Sequence, residues 1–219
     1  YAAGIIKGDG NKAPSASATL TRWQIALLAL RVYTMIDLDP RYDLDDDNWA
    51  SYVVEFGDKE VVYEDCEYPN ALGAILFVQE KGFIKGYAED DKTYFRPAQP
   101  VTYAEALTIM VRILGWDSKA MNSNWPYNYV TQAAKLGLTA GITKIGMDDQ
   151  VTYGVMAQLI FNVLNAKRYY NAETVRAYAT LFSDNIDGNA LAKLLEFGYV
   201  LDPTVDGNFV EAVDAQTWL

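Results

Sequence analysis

Three stretches of the chain carry apolar residues at helical spacing behind the same kind of start. An apolar residue is followed by threonine at Leu20-Thr21, Val101-Thr102 and Val151-Thr152. At offsets +4, +7, +8 and +11 from each threonine stand Ile25, Leu28, Ala29 and Val32, then Ala106, Ile109, Met110 and Ile113, then Met156, Leu159, Ile160 and Val163. All are apolar and share one face of a helix with 3.6 residues per turn. A threonine at the N-cap accepts a hydrogen bond from an orphan backbone N–H of the first turn. Gln24 and Glu105, three residues on, predict a reciprocal capping box in the first two copies, whereas Val155 gives the third a simpler cap.

Upstream of each cap lies a glycine pair spaced by four: Gly4 and Gly8, Gly82 and Gly86, Gly137 and Gly141. The first of each pair suits a helix C-cap, because glycine takes the left-handed conformation without steric cost. Ile75 and Val78, and likewise Val130 and Ala133, precede their glycine by seven and four residues and predict a leading helix. One repeat therefore reads as helix, glycine turn, loop, capped helix. The expected fold is mainly α, a bundle of three such repeats at about 1–36, 66–116 and 122–168, with a C-terminal extension at 169–219. The caps are 81 and 50 residues apart (102 − 21 and 152 − 102), so an acidic insertion is expected at 37–65, holding Asp37, Asp39, Asp43, Asp45, Asp46 and Asp47 and a short helical stretch around Trp49 to Phe56. The first repeat lacks its leading helix, and the expectation is that this sequence is a processed or trimmed piece of something longer.

The second copy runs Gly82-Phe83-Ile84-Lys85-Gly86-Tyr87, then Phe95-Arg96-Pro97, then Val101-Thr102-Tyr103-Ala104-Glu105. It resembles the S-layer homology signature, in which a glycine-isoleucine-glycine turn leads through a phenylalanine-x-proline loop to an isoleucine-threonine-arginine-alanine-glutamate helix start. The first copy keeps Gly4-Ile5-Ile6-Lys7-Gly8-Asp9-Gly10, Pro14 and Thr21-Arg22, and the third keeps Trp125, Gly137, Gly141 and Val151-Thr152. The resemblance implies a pseudo-threefold bundle whose inter-repeat grooves hold secondary cell wall polysaccharide, often through a pyruvylated sugar, without covalent bonding or metal. It places the ligand near Arg22, whose fork suits a carboxylate, and near Lys7, Gly8, Lys85, Gly86, Arg96 and Glu105, where loop cations and helix N-termini favour an anion. The helix-start arginine survives only as Arg22; Tyr103 and Tyr153 stand at the other two positions, where they offer a hydrogen bond or a stacking face but no charge.

Composition narrows the chemistry. With 219 residues, 51% hydrophobic and 21% charged, the chain can bury a full core as one domain or two small ones. Its 18 basic and 29 acidic residues give a net charge of −11, which repels a phosphate backbone, so nucleic acid is excluded as a partner. The absence of histidine removes the commonest general base and zinc ligand, which closes serine-histidine, cysteine-histidine and histidine-metal chemistry. The lone Cys66 leaves no internal disulfide and reads as a small buried thiol. No stretch has the roughly 18–20 apolar residues of a membrane helix and no secretory signal opens the sequence, so a soluble chain without membrane insertion is expected.

Other signals carry less. The run Asp43-Leu44-Asp45-Asp46-Asp47-Asn48 alternates oxygen ligands as a calcium loop does, with Asp43, Asp45 and Asp47 as the candidate ligands. It lacks the sixth-position glycine and the twelfth-position glutamate, where Val54 stands, so a solvated acidic loop is favoured and no cofactor is expected beyond that calcium alternative. The carboxylate pairs Glu64-Asp65 and Asp148-Asp149 could serve acid-base work only across a cleft, and the chain is not read as an enzyme. Among the 16 tyrosines and five tryptophans, Tyr42, Trp49, Tyr52, Tyr127, Tyr129, Tyr169 and Tyr170 sit in polar contexts that predict exposure, suited to sugar stacking or protein interfaces. Leu191 and Leu194 precede Gly198 at the familiar spacing, so the extension reads as a decayed half-repeat or a linker. The expected function is a secreted anchor that binds cell wall polysaccharide at a bacterial surface with a Gram-positive type wall. The alternative is a self-assembling module of a surface layer, filament or other extracellular assembly, with other surface-layer proteins as partners.

Overall fold

The structure is a computed structural model. It describes residues 5–6, 14–37, 63–66, 72–117, 120, 123–166, 168–169, 199–201 and 209–211. The chain divides into two units, Tyr1–Ala166 and Lys167–Leu219. In the second, β3 (Tyr199–Leu201) pairs antiparallel with β4 (Phe209–Glu211). Asp37 ends the first capped helix, residues 38–62 of the acidic insertion with its helical stretch lie outside the described residues, and so does the helix face before Gly198.

The first unit is built from helices. The three capped helices are α1 (Arg22–Asp37), α3 (Tyr103–Ile113) and α5 (Tyr153–Leu164), and two shorter leading helices are α2 (Leu72–Glu80) and α4 (Tyr127–Lys135). A hairpin of β1 (Tyr87–Glu89) and β2 (Lys92–Tyr94) follows α2, its tight turn made by Asp90 and Asp91 at φ of 48° and 62°. All twelve apolar positions read from the caps are buried, and they form one core with Ile75, Val78 and Ala133 of the leading helices. Gly82 and Gly137 take φ of 69° and 74°, as the C-cap reading requires.

The three cap segments meet in a closed cycle of backbone hydrogen bonds. Leu20 N–H donates to Val151 O, Val151 to Val101 O and Val101 to Leu20 O, at 3.0, 2.8 and 3.0 Å. One residue past each threonine, Arg22 donates to Gln99 O, Tyr103 to Asp149 O and Tyr153 to Ala18 O, each at 2.9 Å. One residue further, Trp23, Ala104 and Gly154 donate to Pro97, Met147 and Ala16. These are the orphan donors of the first helical turn, and each helix has them satisfied by the loop of the next.

Within each copy a second tether recurs. At offset +10 from the cap, Arg31 donates to Ile5 O, Arg112 to Phe83 O and Asn162 to Leu138 O, at 3.1, 3.2 and 2.7 Å. In the sequence each acceptor directly follows the first glycine of a glycine pair: Gly4, Gly82 and Gly137. The capping boxes divide differently from expectation. Thr102 and Glu105 form the full reciprocal box. At α1, Thr21 N–H donates to Gln24 Oε1 at 2.9 Å, but Thr21 Oγ1 is buried without a partner, so only half of the expected box forms.

Candidate functional site

Arg22 opens α1 at the seam with the second copy, and its guanidinium is engaged on every side. Nε donates to Phe95 O at 2.6 Å, Nη2 to Lys85 O at 3.1 Å, and Nη1 to Tyr87 Oη and Glu105 Oε1 at 3.2 Å each. Its plane lies against the rings of Tyr87 and Phe95, 4.7 and 5.1 Å from their centroids. Only 4% of the side chain is exposed. Glu105 thus has two tasks. Oε2 closes the capping box by accepting from Thr102 N–H at 2.9 Å, while Oε1 holds Arg22 and accepts from Tyr87 Oη–H at 2.7 Å. Burial, then the hydrogen bond to Glu105, pushes the Tyr87 phenol above its ordinary pKa and keeps it a donor at neutral pH.

An open cleft of about 190 Å³ lies over this cluster. Its lining includes Arg22, Lys85, Tyr87 and Glu105, together with Arg112 and Trp125. Arg112 is placed by the same tether that donates to Phe83 O, and its Nε donates to Asp117 Oδ1 at 3.0 Å. Tyr129 Oη–H also donates to Asp117. Burial raises the Asp117 pKa, but hydrogen bonds from Tyr129 and Arg112 and the nearby positive charges outweigh it, and the carboxyl ends below its ordinary range. Trp125 stands 55% exposed at the rim, its indole fixed by Nε1–H donation to Thr108 Oγ1 at 3.1 Å. Three cations face one carboxylate in a chain whose net charge is −11. The cleft is smaller than the roughly 300–1,000 Å³ of drug-sized pockets. It suits a small polar ring with a negative group, held by cations and stacked on an indole.

The sequence-derived candidates separate in space. Arg22, Lys85 and Glu105 come together in the cleft. Gly86 follows Lys85 but earns its place by packing, since a Cβ there would sit 2.3 Å from Tyr63 Cε1 and 2.8 Å from Tyr94 O. Arg96 is outside the cleft lining; it pairs with Glu89 and lies over the Tyr87 ring, 4.5 Å from its centroid. Tyr103 and Tyr153 open α3 and α5, and burial raises both phenol pKa values. Lys7, Gly8, Asp43, Asp45 and Asp47 lie outside the described residues.

Among the tyrosines expected to be exposed, Tyr127 is so, but Tyr129 is buried. Its hydroxyl is taken by Arg112 and Asp117, which explains the reversal. Tyr169 is half-buried, and Tyr42, Trp49, Tyr52 and Tyr170 lie outside the described residues. Asp65 is a structural carboxylate: Oδ1 and Oδ2 accept from Phe95 and Arg96 N–H, each at 2.7 Å. The Cys66 thiol is pushed up to about 12 by burial and by the Asp65 charge, so it is the thiol and not the thiolate at neutral pH. Sequence reasoning missed Arg112 as a lining residue. Its signal was the polar offset +10, shared with Arg31 and Asn162 on helices otherwise read only for their apolar face.

Residues 67–107 match the S-layer homology domain. Similarity extends further along the chain to three curated proteins. A surface layer protein of Brevibacillus choshinensis is 28% identical over 198 residues, covering 89% of this chain and 15% of that protein. A middle cell wall protein of Brevibacillus brevis is 26% identical over 164 residues, covering 74% and 14%. A cell surface protein of Thermoanaerobacter kivui is 27% identical over 152 residues, covering 63% and 18%. The chain thus spans about one-sixth of the length of the relatives it matches.

Proposed function

We propose that residues 1–166 form three S-layer homology repeats about a pseudo-threefold axis, and that this module anchors its protein noncovalently to a carboxylate-bearing cell wall polysaccharide at the bacterial surface. The repeat reading is supported by the cyclic hydrogen bonds of the three caps and by the +10 tether that recurs in each copy. A surface location accords with the domain match and with relatives that are surface layer, cell wall and cell surface proteins. The observation that carries the binding reading is the cleft beside Arg22, where cations and aromatic faces converge on an otherwise acidic chain. Arg22 acts there as a fixed positive floor, while the exposed Lys85 ammonium and Trp125 indole are the groups a sugar reaches first.

A second reading has one observation in its favour: Glu105, a carboxylate of the chain itself, already pairs with Arg22 Nη1, while Nε and Nη2 donate to the carbonyls of Phe95 and Lys85. On that reading the repeats serve as packing units of a surface assembly and the groove carries no sugar. Sedimentation with purified cell wall sacculi separates the two. Wild type, Lys85→Gln and Trp125→Ala are compared on native sacculi and on sacculi stripped of secondary polysaccharide; both side chains are exposed, so the variants keep the fold. Saturable binding that falls at least tenfold in each variant and disappears on stripped sacculi is expected. A folded wild-type chain that stays in the supernatant rules out anchoring and leaves the assembly reading.

A further inference from the structure

Arg96 stands outside the cleft lining, in a backbone conformation that arginine rarely takes. Its φ is 56°, in the left-handed region where a side chain other than glycine is strained. Asp65 holds the turn in place: its Oδ1 and Oδ2 accept from Phe95 and Arg96 N–H at 2.7 Å each. Arg96 O accepts from Gln99 N–H at 3.0 Å. The other two cap loops make that same bond at 3.1 Å to Ser15 O and at 3.2 Å to Gly146 O, with no left-handed φ at either residue. A cap loop therefore needs neither the arginine nor the strain, and both occur in the loop whose Phe95 and Gln99 carbonyls receive Arg22.

What the strained turn places is a guanidinium on the Tyr87 ring. Arg96 lies 4.5 Å from the ring centroid and pairs with Glu89, which is two residues along β1 and so on the same face of the strand as Tyr87. Arg22 lies on that ring as well, at 4.7 Å. Two positive groups thus share one aromatic ring, and each has its own carboxylate, Glu89 for Arg96 and Glu105 for Arg22. The Tyr87 hydroxyl accepts from Arg22 Nη1 and Gln99 Nε2 at 3.2 Å each and donates to Glu105 Oε1 at 2.7 Å. Tyr87 is the link between Arg96 and the Arg22–Glu105 pair of the cleft.

We infer that Arg96 is a positioning residue of the cleft and not a ligand contact: Asp65 holds it in its turn, its guanidinium fixes the Tyr87 ring, and Tyr87 fixes Arg22 and Glu105. Groups that must be ordered on binding lower affinity, whereas groups already locked in place do not, so a small cleft gains from a clamp behind its wall. This inference rests on the binding reading of that cleft.

The test uses the full 219-residue chain in the sedimentation assay with native sacculi, together with urea titrations. Arg96→Gly removes the guanidinium but takes a φ of 56° freely, so its urea midpoint is expected to stay at the wild-type value. Its binding should nevertheless weaken roughly three- to fivefold, the worth of one cation on an aromatic face. Arg96→Lys keeps a cation over the ring and should bind within about twofold of wild type. In a Tyr87→Leu background, which has no ring to hold, the same Arg96→Gly change should alter binding by less than about twofold. If Arg96→Gly binds like wild type, if lysine binds no better than glycine, or if the loss is as large in the Tyr87→Leu background, this inference is overturned and anchoring stands. A urea midpoint that falls in step with binding would make Arg96 a residue of the fold alone and overturns it too. A folded wild-type chain that stays in the supernatant overturns the anchoring reading and this inference with it.

Discussion

Replacing Glu105 by alanine removes one carboxylate that both closes the α3 capping box and neutralises Arg22. Their side chains are 17% and 4% exposed, so the pair is mostly shielded from water. Removing one partner of a buried pair costs about 3–5 kcal/mol, and the low end applies because Arg22 keeps the carbonyls of Phe95 and Lys85. Losing the Glu105 half of the box adds about 1 kcal/mol. The expected sum is about 4 kcal/mol, a large part of the roughly 5–15 kcal/mol that holds a domain together. At about 2–4 °C per kcal/mol for a chain of this size, the melting temperature should fall by about 8–16 °C. Glu105→Gln keeps one acceptor oxygen, which serves either Thr102 or Arg22 and Tyr87 while the amide NH2 faces the other donors, and it loses the charge, so an intermediate cost of about 1.5–3 kcal/mol is expected. Urea titrations followed by tryptophan fluorescence and near-ultraviolet circular dichroism measure both, provided the slope m is unchanged. If Glu105→Ala falls within about 1 kcal/mol of wild type at equal m, the reasoning fails, because the pair would then be behaving as a solvated surface contact.

Gly82→Ala meets no neighbouring atom and suffers only its φ of 69°, so about 1–2 kcal/mol is expected in the same titrations. Gly86→Ala forces a Cβ against Tyr63 and the Tyr94 carbonyl and should cost about 3 kcal/mol or more; a reversed order would show that the hairpin gives way freely. Asn162→Ala releases the carbonyls of Leu138 and Ala140 and should cost about 1–2 kcal/mol, visible as faster amide exchange at the end of α5. Cys66 holds its proton in the folded chain up to about pH 12, whereas its ordinary value is 9.0, so the folded state binds more protons in between. Its contribution to stability is therefore complete below about pH 9 and lost as pH rises toward 12, and the buried phenols of Tyr63 and Tyr129 act in the same direction. At pH 8.5 a thiol reagent should label the native chain far more slowly than the urea-unfolded chain; equal rates would show the thiol to be ordinary.

Local sequence was enough to fix the elements that depend on their own residues. The period of apolar positions, the threonine caps and the C-cap glycines located α1, α3 and α5 and the core faces they bury, because a helix face and a left-handed turn are set by neighbours a few residues away. Lys85 and Glu105 could be nominated for the cleft because they lie beside those signals. Contacts between segments far apart in sequence were decided only by the tertiary structure. Arg22 was read as a cation awaiting an anion, yet residues 63 to 83 positions away, from Lys85 to Glu105, take four hydrogen bonds from its guanidinium. Tyr129 sits in a polar stretch and is nonetheless buried, since Arg112 and Asp117 take its hydroxyl. The half-formed box at Thr21 and the +10 tethers are likewise invisible in any one window of residues. A cap or a turn is satisfied by its own segment, whereas the first-turn N–H groups of each capped helix here find their acceptors on the loop before another capped helix, so that part of the structure exists only once the three segments have closed their cycle.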